Sequence, residues 1–184
     1  MLYSIALAEF AVCWVVWWYP FLFRAPHVQK RPSVAVIGAT RIGLLLEAAA
    51  FFVAFSFREP SAPAYARVIP AMLLLPIAPV MAFASVRHLG RQFRIHAGLY
   101  QDHELVCTGP YSIVRHPIYS SLMAMLVCTQ LLLTRWPWIA VSLAVYIAGT
   151  EIRVRTEDRL LGGRFGESFA DYRRRVPAYI PFVR

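Results

Sequence analysis

The sequence predicts an all-α integral membrane protein, with about five transmembrane helices and a carboxyl-terminal helical region carrying most of the charge. Three observations lead there. The 184 residues are 59% hydrophobic and only 16% charged, with a mean hydropathy of +0.53, where a soluble domain carries about 25% charged residues. The apolar residues fall in long runs, as membrane spans do. The ionisable residues gather between those runs and after residue 150. The net charge of +9 does not point to nucleic acid, because no basic stripe with interleaved aromatics accompanies it.

A bilayer core of about 30 Å asks for about 20 apolar helical residues. Residues 2–23 meet this with Glu9 as their one charge. They lack a basic leader and a small-residue cleavage site, so they read as a retained span. A basic, proline-punctuated loop follows over 24–32, then a second span over 34–57 that contains Arg41 and Glu47. Glu47 is the deeper of these two charges and calls for a partner on another helix. Residues 58–66 form a short loop. The third span, 68–86, holds Pro70, Pro76 and Pro79 and should be kinked. A polar stretch over 87–115 leads to two shorter apolar runs, 118–134 and 136–150, joined at Arg135-Trp136-Pro137 as a helical hairpin. Residues 153–184 are a charged tail. Within it Phe165, Phe169, Tyr172 and Val176 share a helix face, ending at Arg173-Arg174-Arg175, where arginines meet anionic headgroups and the helix dipole. The chain thus divides into three amino-terminal spans (1–87) and a second half (88–184) built on the hairpin 118–150.

Loop charges set the orientation. With five spans, one side carries Arg24, Lys30, Arg31, Arg87, Arg91, Arg94, Arg115 and the tail's eight arginines, and the other carries Arg58, Arg67 and Arg135. Fifteen against three places the amino terminus outside and the carboxyl terminus in the cytoplasm.

Cys13, Cys107 and Cys128 show no CxxC spacing and indicate neither a disulfide framework nor a zinc site. His88, His96, His103 and His116 are too widely spaced for a compact metal pair, so no metal is expected. Gly162, Gly163 and Gly166 lack a preceding strand and read as helix termination, not as a nucleotide-binding turn. Arg153 and Glu157 are four apart and share a helix face, either as a surface ion pair or as a buried functional one. Arg115-His116-Pro117 opens the hairpin. It reads either as a helix start with a snorkelling arginine or as a carboxylate-binding arginine.

Together these residues resemble the isoprenylcysteine carboxyl methyltransferases. The first block is His103-Glu104-Leu105-Val106, Gly109-Pro110-Tyr111 and Arg115-His116-Pro117-Ile118-Tyr119. The second runs from Arg153 through Glu157-Asp158, Leu161, Phe165-Gly166, Tyr172 and Val176-Pro177 to Pro181. The match covers residues 88–184, about half the chain; the first three spans match in hydropathy alone. The resemblance implies an integral membrane enzyme that takes a methyl group from S-adenosyl-L-methionine, in a cytoplasmic-facing pocket built by the carboxyl half. It implies cofactor contacts at His103, Leu105, Val106, Tyr111, His116, Tyr119 and Asp158, and catalytic roles for Arg115, Arg153 and Glu157. Three positions depart from the family pattern: Asp158 stands for its second acid, Phe169 for a usual tyrosine, and Ser121 for the glycine after the His-Pro-x-Tyr motif.

Methyl transfer from a sulfonium is an in-line displacement and mostly a matter of positioning. Aromatic faces such as Tyr111 and Tyr119 attract a sulfonium. Arg115 or Arg153 can hold an acceptor carboxylate, and Glu157 can orient an arginine. An arginine- and alanine-rich composition with a single lysine suggests a GC-rich bacterial source and hence an inner-membrane location. The acceptor is then lipophilic: a prenylated cysteine carboxylate by resemblance, or an alkyl phenol, pyrone or thiol receiving O- or S-methylation. Two other classes stay open, an NADPH-dependent membrane reductase and a non-catalytic membrane subunit.

Overall fold

The computed structural model describes residues 1–24, 34–35, 37–93, 98–99, 104–181 and 183. Its elements follow the apolar runs. Helix α1 spans Leu2–Tyr19 and continues as a π-helical turn over Pro20–Arg24. Helix α2 is Ile37–Ser56, α3 is Tyr65–Leu74 and α4 is Ile77–Leu89. A short 3-10 helix, Gly109–Ser112, precedes α5 at Pro117–Leu133; α6 is Trp136–Phe165 and α7 is Glu167–Arg175. Two residue pairs, Val34–Ala35 (β1) and Gly98–Leu99 (β2), form a minimal antiparallel ladder.

Among the described residues, four helical segments are long and apolar enough to cross a membrane: Leu2–Phe23, Gly38–Ser56, Tyr65–Leu89 and Trp136–Phe165. The protein is thus a nearly all-helical integral membrane protein. The fifth apolar helix, α5, is shorter at 17 residues, or about 26 Å. Pro117 fixes its start, and it ends at Leu133, capped by Thr134 just before the Arg135-Trp136-Pro137 turn. The third span kinks where the prolines foretell it. α3 gives way to α4 at Leu75-Pro76, where proline removes a donor and crowds the preceding turn.

The tail departs from expectation. Instead of ending near residue 150, α6 runs unbroken for 30 residues and carries Arg153, Glu157 and Asp158 on its last four turns. No proline interrupts it, and Gly162 and Gly163 are accommodated within it, so termination falls to Gly166 alone. Phe165 therefore belongs to α6. Phe169 and Tyr172 are the buried residues of α7, and Arg173, Arg174 and Arg175 are exposed at its end.

Packing is set by small residues and by aromatics. α2 and α6 cross closely at Gly43 and Gly149: a Cβ on Gly149 would lie 2.7 Å from the Gly43 carbonyl oxygen, so only glycine permits this approach. α1, α3, α4 and α5 share a core around Phe10, Trp17, Leu75, Met125 and Leu132. Beyond α7 the chain returns to the start of α5. The backbone N–H groups of Arg115 and His116 donate to the carbonyls of Pro177 and Ala178, each at 2.8 Å. The Ser120 hydroxyl donates to Tyr179 O at 2.5 Å. These bonds draw both sequence blocks to one end of the bundle.

Candidate active site

The amino terminus of α5 is where the charges meet. His116 precedes Pro117 as the helix cap, so its ring is held at the helix entrance, 6% exposed. Its Nδ1 lies 3.1 Å from Glu157 Oε2 and its Nε2 lies 2.9 Å from Asp158 Oδ1. With a carboxylate on each ring nitrogen, both nitrogens act as donors and the imidazole is a cation. Burial opposes that charge, but the bonds to Asp158 and Glu157 outweigh it and raise the pKa to about 9.

Arg115 turns the other way. Its Nη2 pairs with Asp158 Oδ2 at 3.0 Å, and its Nη1 donates to the carbonyls of Val176 at 2.5 Å and Arg173 at 3.3 Å. It therefore clamps the end of α7 and the tail. Glu157 accepts a very short bond from the Tyr119 hydroxyl as well as the His116 bond. The Arg153 guanidinium lies over the Tyr119 ring, 4.6 Å from its centroid. Its Nη1 pairs at 2.5 Å with Glu47 of α2, whose other carboxylate oxygen accepts from Thr150 at 3.0 Å.

The Gly109-Pro110-Tyr111 turn has its own physical cause. Gly109 has φ +59, and any side chain there would run into the His88 ring. That turn presents Tyr111, whose carbonyl accepts from the Tyr172 hydroxyl at 2.6 Å. Burial, then the nearby Glu157 charge, push the Tyr111 phenol well above its ordinary pKa, so it stays neutral.

These groups line a cavity of about 630 Å³. Its polar lining comes from Arg115, His116, Tyr119, Arg153, Glu157, Tyr111, Glu47, Glu104 and Tyr172, with Leu105 and Val106 also bordering it. Trp14, Trp17, Trp18 and Phe21 from α1 and its π-turn, Phe51 and Phe55 from α2, and Leu122 from α5 supply aromatic and apolar lining.

The structure thus gathers Leu105, Val106, Tyr111, Arg115, His116, Tyr119, Arg153 and Glu157 at one cavity. Asp158 is not part of the lining; it braces His116 and Arg115 from behind. His103 lies outside the described residues. Sequence reasoning did not identify Glu47 as the partner of Arg153, although it required Glu47 to bond another helix. Nor did it single out the aromatic residues of α1 and α2, whose spacing reads as ordinary span; Tyr172 was read only as part of the tail's helix face and of the second block.

A profile of the isoprenylcysteine carboxyl methyltransferase family matches residues 70–162. The chain is 33% identical to protein-S-isoprenylcysteine O-methyltransferase B of Arabidopsis thaliana over 117 residues, covering 63% of this chain and 56% of the relative. It is 35% identical to the Schizosaccharomyces pombe protein-S-isoprenylcysteine O-methyltransferase over 83 residues, 45% of this chain and 35% of the relative. It is also 36% identical over 93 residues to the cobalt-zinc-cadmium resistance protein CzcN of Cupriavidus metallidurans, 48% of this chain and 42% of that protein. The matches therefore span about half or less of these relatives' lengths.

Proposed function

This chain belongs to the isoprenylcysteine carboxyl methyltransferase family, and on that premise we propose that it transfers a methyl group to a lipophilic acceptor, with S-adenosyl-L-methionine as donor. The cavity is the observation that carries this reading. It joins a wall of paired charges to an aromatic wall within one space of about 630 Å³, a volume typical of cofactor and substrate sites.

The residues fit the donor. Tyr111 and Tyr119 offer aromatic surface, the chain at Leu105 and Val106 borders the space, and Arg115 Nε is buried with no hydrogen-bond partner among the described residues. When bound, S-adenosyl-L-methionine supplies a methyl on a sulfonium centre. The chain's own residues do the rest. Arg153, steadied by Glu47 and Tyr119, holds the acceptor anion beside the donor. Glu157 orients His116 and Tyr119. Leu122, Phe51 and Trp17 take up the lipid part and keep water out, which strengthens every electrostatic contact in the site.

The arginines favour an ionised acceptor. Arg115 and Arg153 both border the cavity, and a guanidinium binds a carboxylate through charge-assisted hydrogen bonds. A carboxylate, with a pKa near 4, is already ionised at neutral pH, whereas a phenol near 10 is not. We therefore favour a prenylcysteine-type carboxylate over a phenol, pyrone or thiol. The excess of arginines on the tail side supports a cytoplasmic carboxyl terminus, and the arginine- and alanine-rich composition with a single lysine supports a bacterial inner membrane.

The test is transfer from radiolabelled donor by protein purified in detergent, offered in parallel an S-prenylated cysteine, an alkyl phenol and a long-chain thiol. Base-labile methyl ester on the prenylcysteine is the expected product. Labelling of the phenol or thiol alone would move the acceptor class. NADPH binding without S-adenosylhomocysteine binding would replace the reading with a reductase, and binding of neither would leave a non-catalytic subunit.

A further inference from the structure

We infer that Glu47 is a positioning residue for Arg153, placed by the amino-terminal part of the chain and required for the acceptor to bind productively. This rests on the methyltransferase reading and deepens it. Glu47 lies outside residues 70–162, the part that matches the family profile.

Four observations combine. Glu47 is 1% exposed in the middle of an apolar helix, where an ionisable side chain is costly and usually functional. Both of its oxygens are engaged on α6, Oε2 by Arg153 at 2.5 Å and Oε1 by Thr150 at 3.0 Å, so the carboxylate is fixed in direction as well as place. The glycine crossing at Gly43 and Gly149, one helical turn from each partner, brings α2 near enough for the pair to form. Finally, Glu47 and Arg153 both line the cavity, and the guanidinium lies over the Tyr119 ring at 4.6 Å.

An ion pair that served stability alone would gain little here. Well-packed apolar residues of similar volume are often as good or better inside a protein. What the pair does provide is a single rotamer for a long side chain with several rotatable bonds. Held by Glu47 on one side and Tyr119 on another, the Arg153 guanidinium keeps a fixed direction at the cavity. Without the carboxylate, the guanidinium is free to turn toward Glu157, and the acceptor anion meets it in competition.

The test compares wild-type protein with Glu47→Gln and Glu47→Asp, both purified in detergent. Donor-site integrity is read by S-adenosylhomocysteine calorimetry, folding by thermal unfolding, and function by separate kcat and KM values for a prenylcysteine acceptor. Glu47→Gln should keep S-adenosylhomocysteine affinity within about two-fold. Its acceptor KM should rise about ten-fold or more, the factor expected when a charge-assisted hydrogen bond is weakened. Glu47→Asp, which keeps the charge, should recover part of that loss. A lower unfolding temperature with an unchanged acceptor KM in Glu47→Gln overturns the inference and leaves the methyltransferase reading intact. Equal loss of S-adenosylhomocysteine affinity and acceptor affinity overturns it too, since the site as a whole has then collapsed. If wild-type protein transfers no methyl group to any acceptor, the functional reading fails and this inference fails with it.

Discussion

Two buried arginines stand at opposite ends of α5, and only one of them borders a site. Arg67, 6% exposed, sends Nη2 to the carbonyls of Gln130 and Thr134, both at 2.6 Å, and lies 4.9 Å from the Trp136 ring centroid. Those carbonyls belong to the end of α5: the one of Gln130 also accepts from the Thr134 N–H at 3.1 Å, whereas the one of Thr134 lies past the helix, where backbone acceptors lack helical partners. Arg115 does a like service at the other end for the carbonyls of Arg173 and Val176 at the end of α7. The difference is in the company. Arg67 has Glu59 at 3.6 Å, a partly exposed acid. Arg115 has Asp158, then His116 and Glu157, and further along the same wall Arg153 and Glu47. A buried charge by itself is explained by helix ends. A surplus of paired charges beyond what the helix ends need, bordering a cavity, marks the place where chemistry can occur.

The comparison breaks most visibly at Arg153. Arg153→Ala should lower kcat/KM for a prenylcysteine acceptor by about 100-fold or more, the scale of removing a preorganised electrostatic group. Arg67→Ala should leave kcat/KM per folded molecule within about three-fold. Steady-state kinetics on both variants would settle it. Equal losses would mean that the two ends are coupled and that surplus charge is not the marker.

Stability should show the reverse order. Arg67→Met keeps apolar bulk but removes two bonds from a charged donor, at about 1.5–3 kcal/mol per bond, the one to Gln130 O being offset in part because the Thr134 N–H still donates to that carbonyl. A loss of about 3 kcal/mol is expected, seen as a lower unfolding temperature in detergent. An unchanged unfolding temperature would show that water already reaches the carbonyls of Gln130 and Thr134.

Much of this contrast was legible in the sequence, and for physical reasons. Long apolar runs announce spans because hydrocarbon length sets helix length, and Pro76 announced the break between α3 and α4. Arg115, His116, Arg153 and Glu157 were legible because their spacing placed them around a hairpin. The continuity of α6 was not, since charged residues after a span read equally well as loop or helix; the bonds of Glu157 to His116 and Tyr119 show why a helix is needed there. The partner of Glu47 was unreadable because the Gly43–Gly149 crossing that creates it joins positions far apart in the chain. Asp158 was expected at the cofactor, but its place behind His116 follows from its position next to Glu157 on α6: neighbouring helical residues point about 100° apart.

His116 sharpens the comparison through pH. Its folded pKa of about 9 lies above its ordinary 6.5, so folding favours the protonated ring. Its contribution to stability is complete below about pH 6.5 and is lost as pH rises through 9. Unfolding temperature in detergent should therefore fall between pH 7 and 9.5 for the wild type, and this slope should flatten in His116→Gln. Arg67→Met should retain the wild-type slope, because it leaves His116 and its two carboxylate partners in place. A wild-type curve flat to pH 10 would mean that the imidazole is neutral between its two carboxylates.

The smallest effect separates two single hydroxyls. The Tyr172 hydroxyl donates to Tyr111 O at 2.6 Å at the cavity end, and the Thr134 hydroxyl donates to Ala54 O at 2.9 Å at the other. Tyr172→Phe and Thr134→Val each remove one neutral bond while keeping the shape, so each should cost about 1 kcal/mol. Stability alone cannot distinguish them. S-adenosylhomocysteine affinity can, because Tyr172 fixes the carbonyl of a residue that lines the cavity, whereas Thr134 is absent from its lining. Tyr172→Phe should weaken binding two- to five-fold by calorimetry, about the effect of a loosened Gly-Pro-Tyr turn, and Thr134→Val should leave it unchanged. Equal affinities in the two variants would mean that Tyr111 holds its place without α7, and that the tail closes the fold and contributes nothing to the donor end of the cavity.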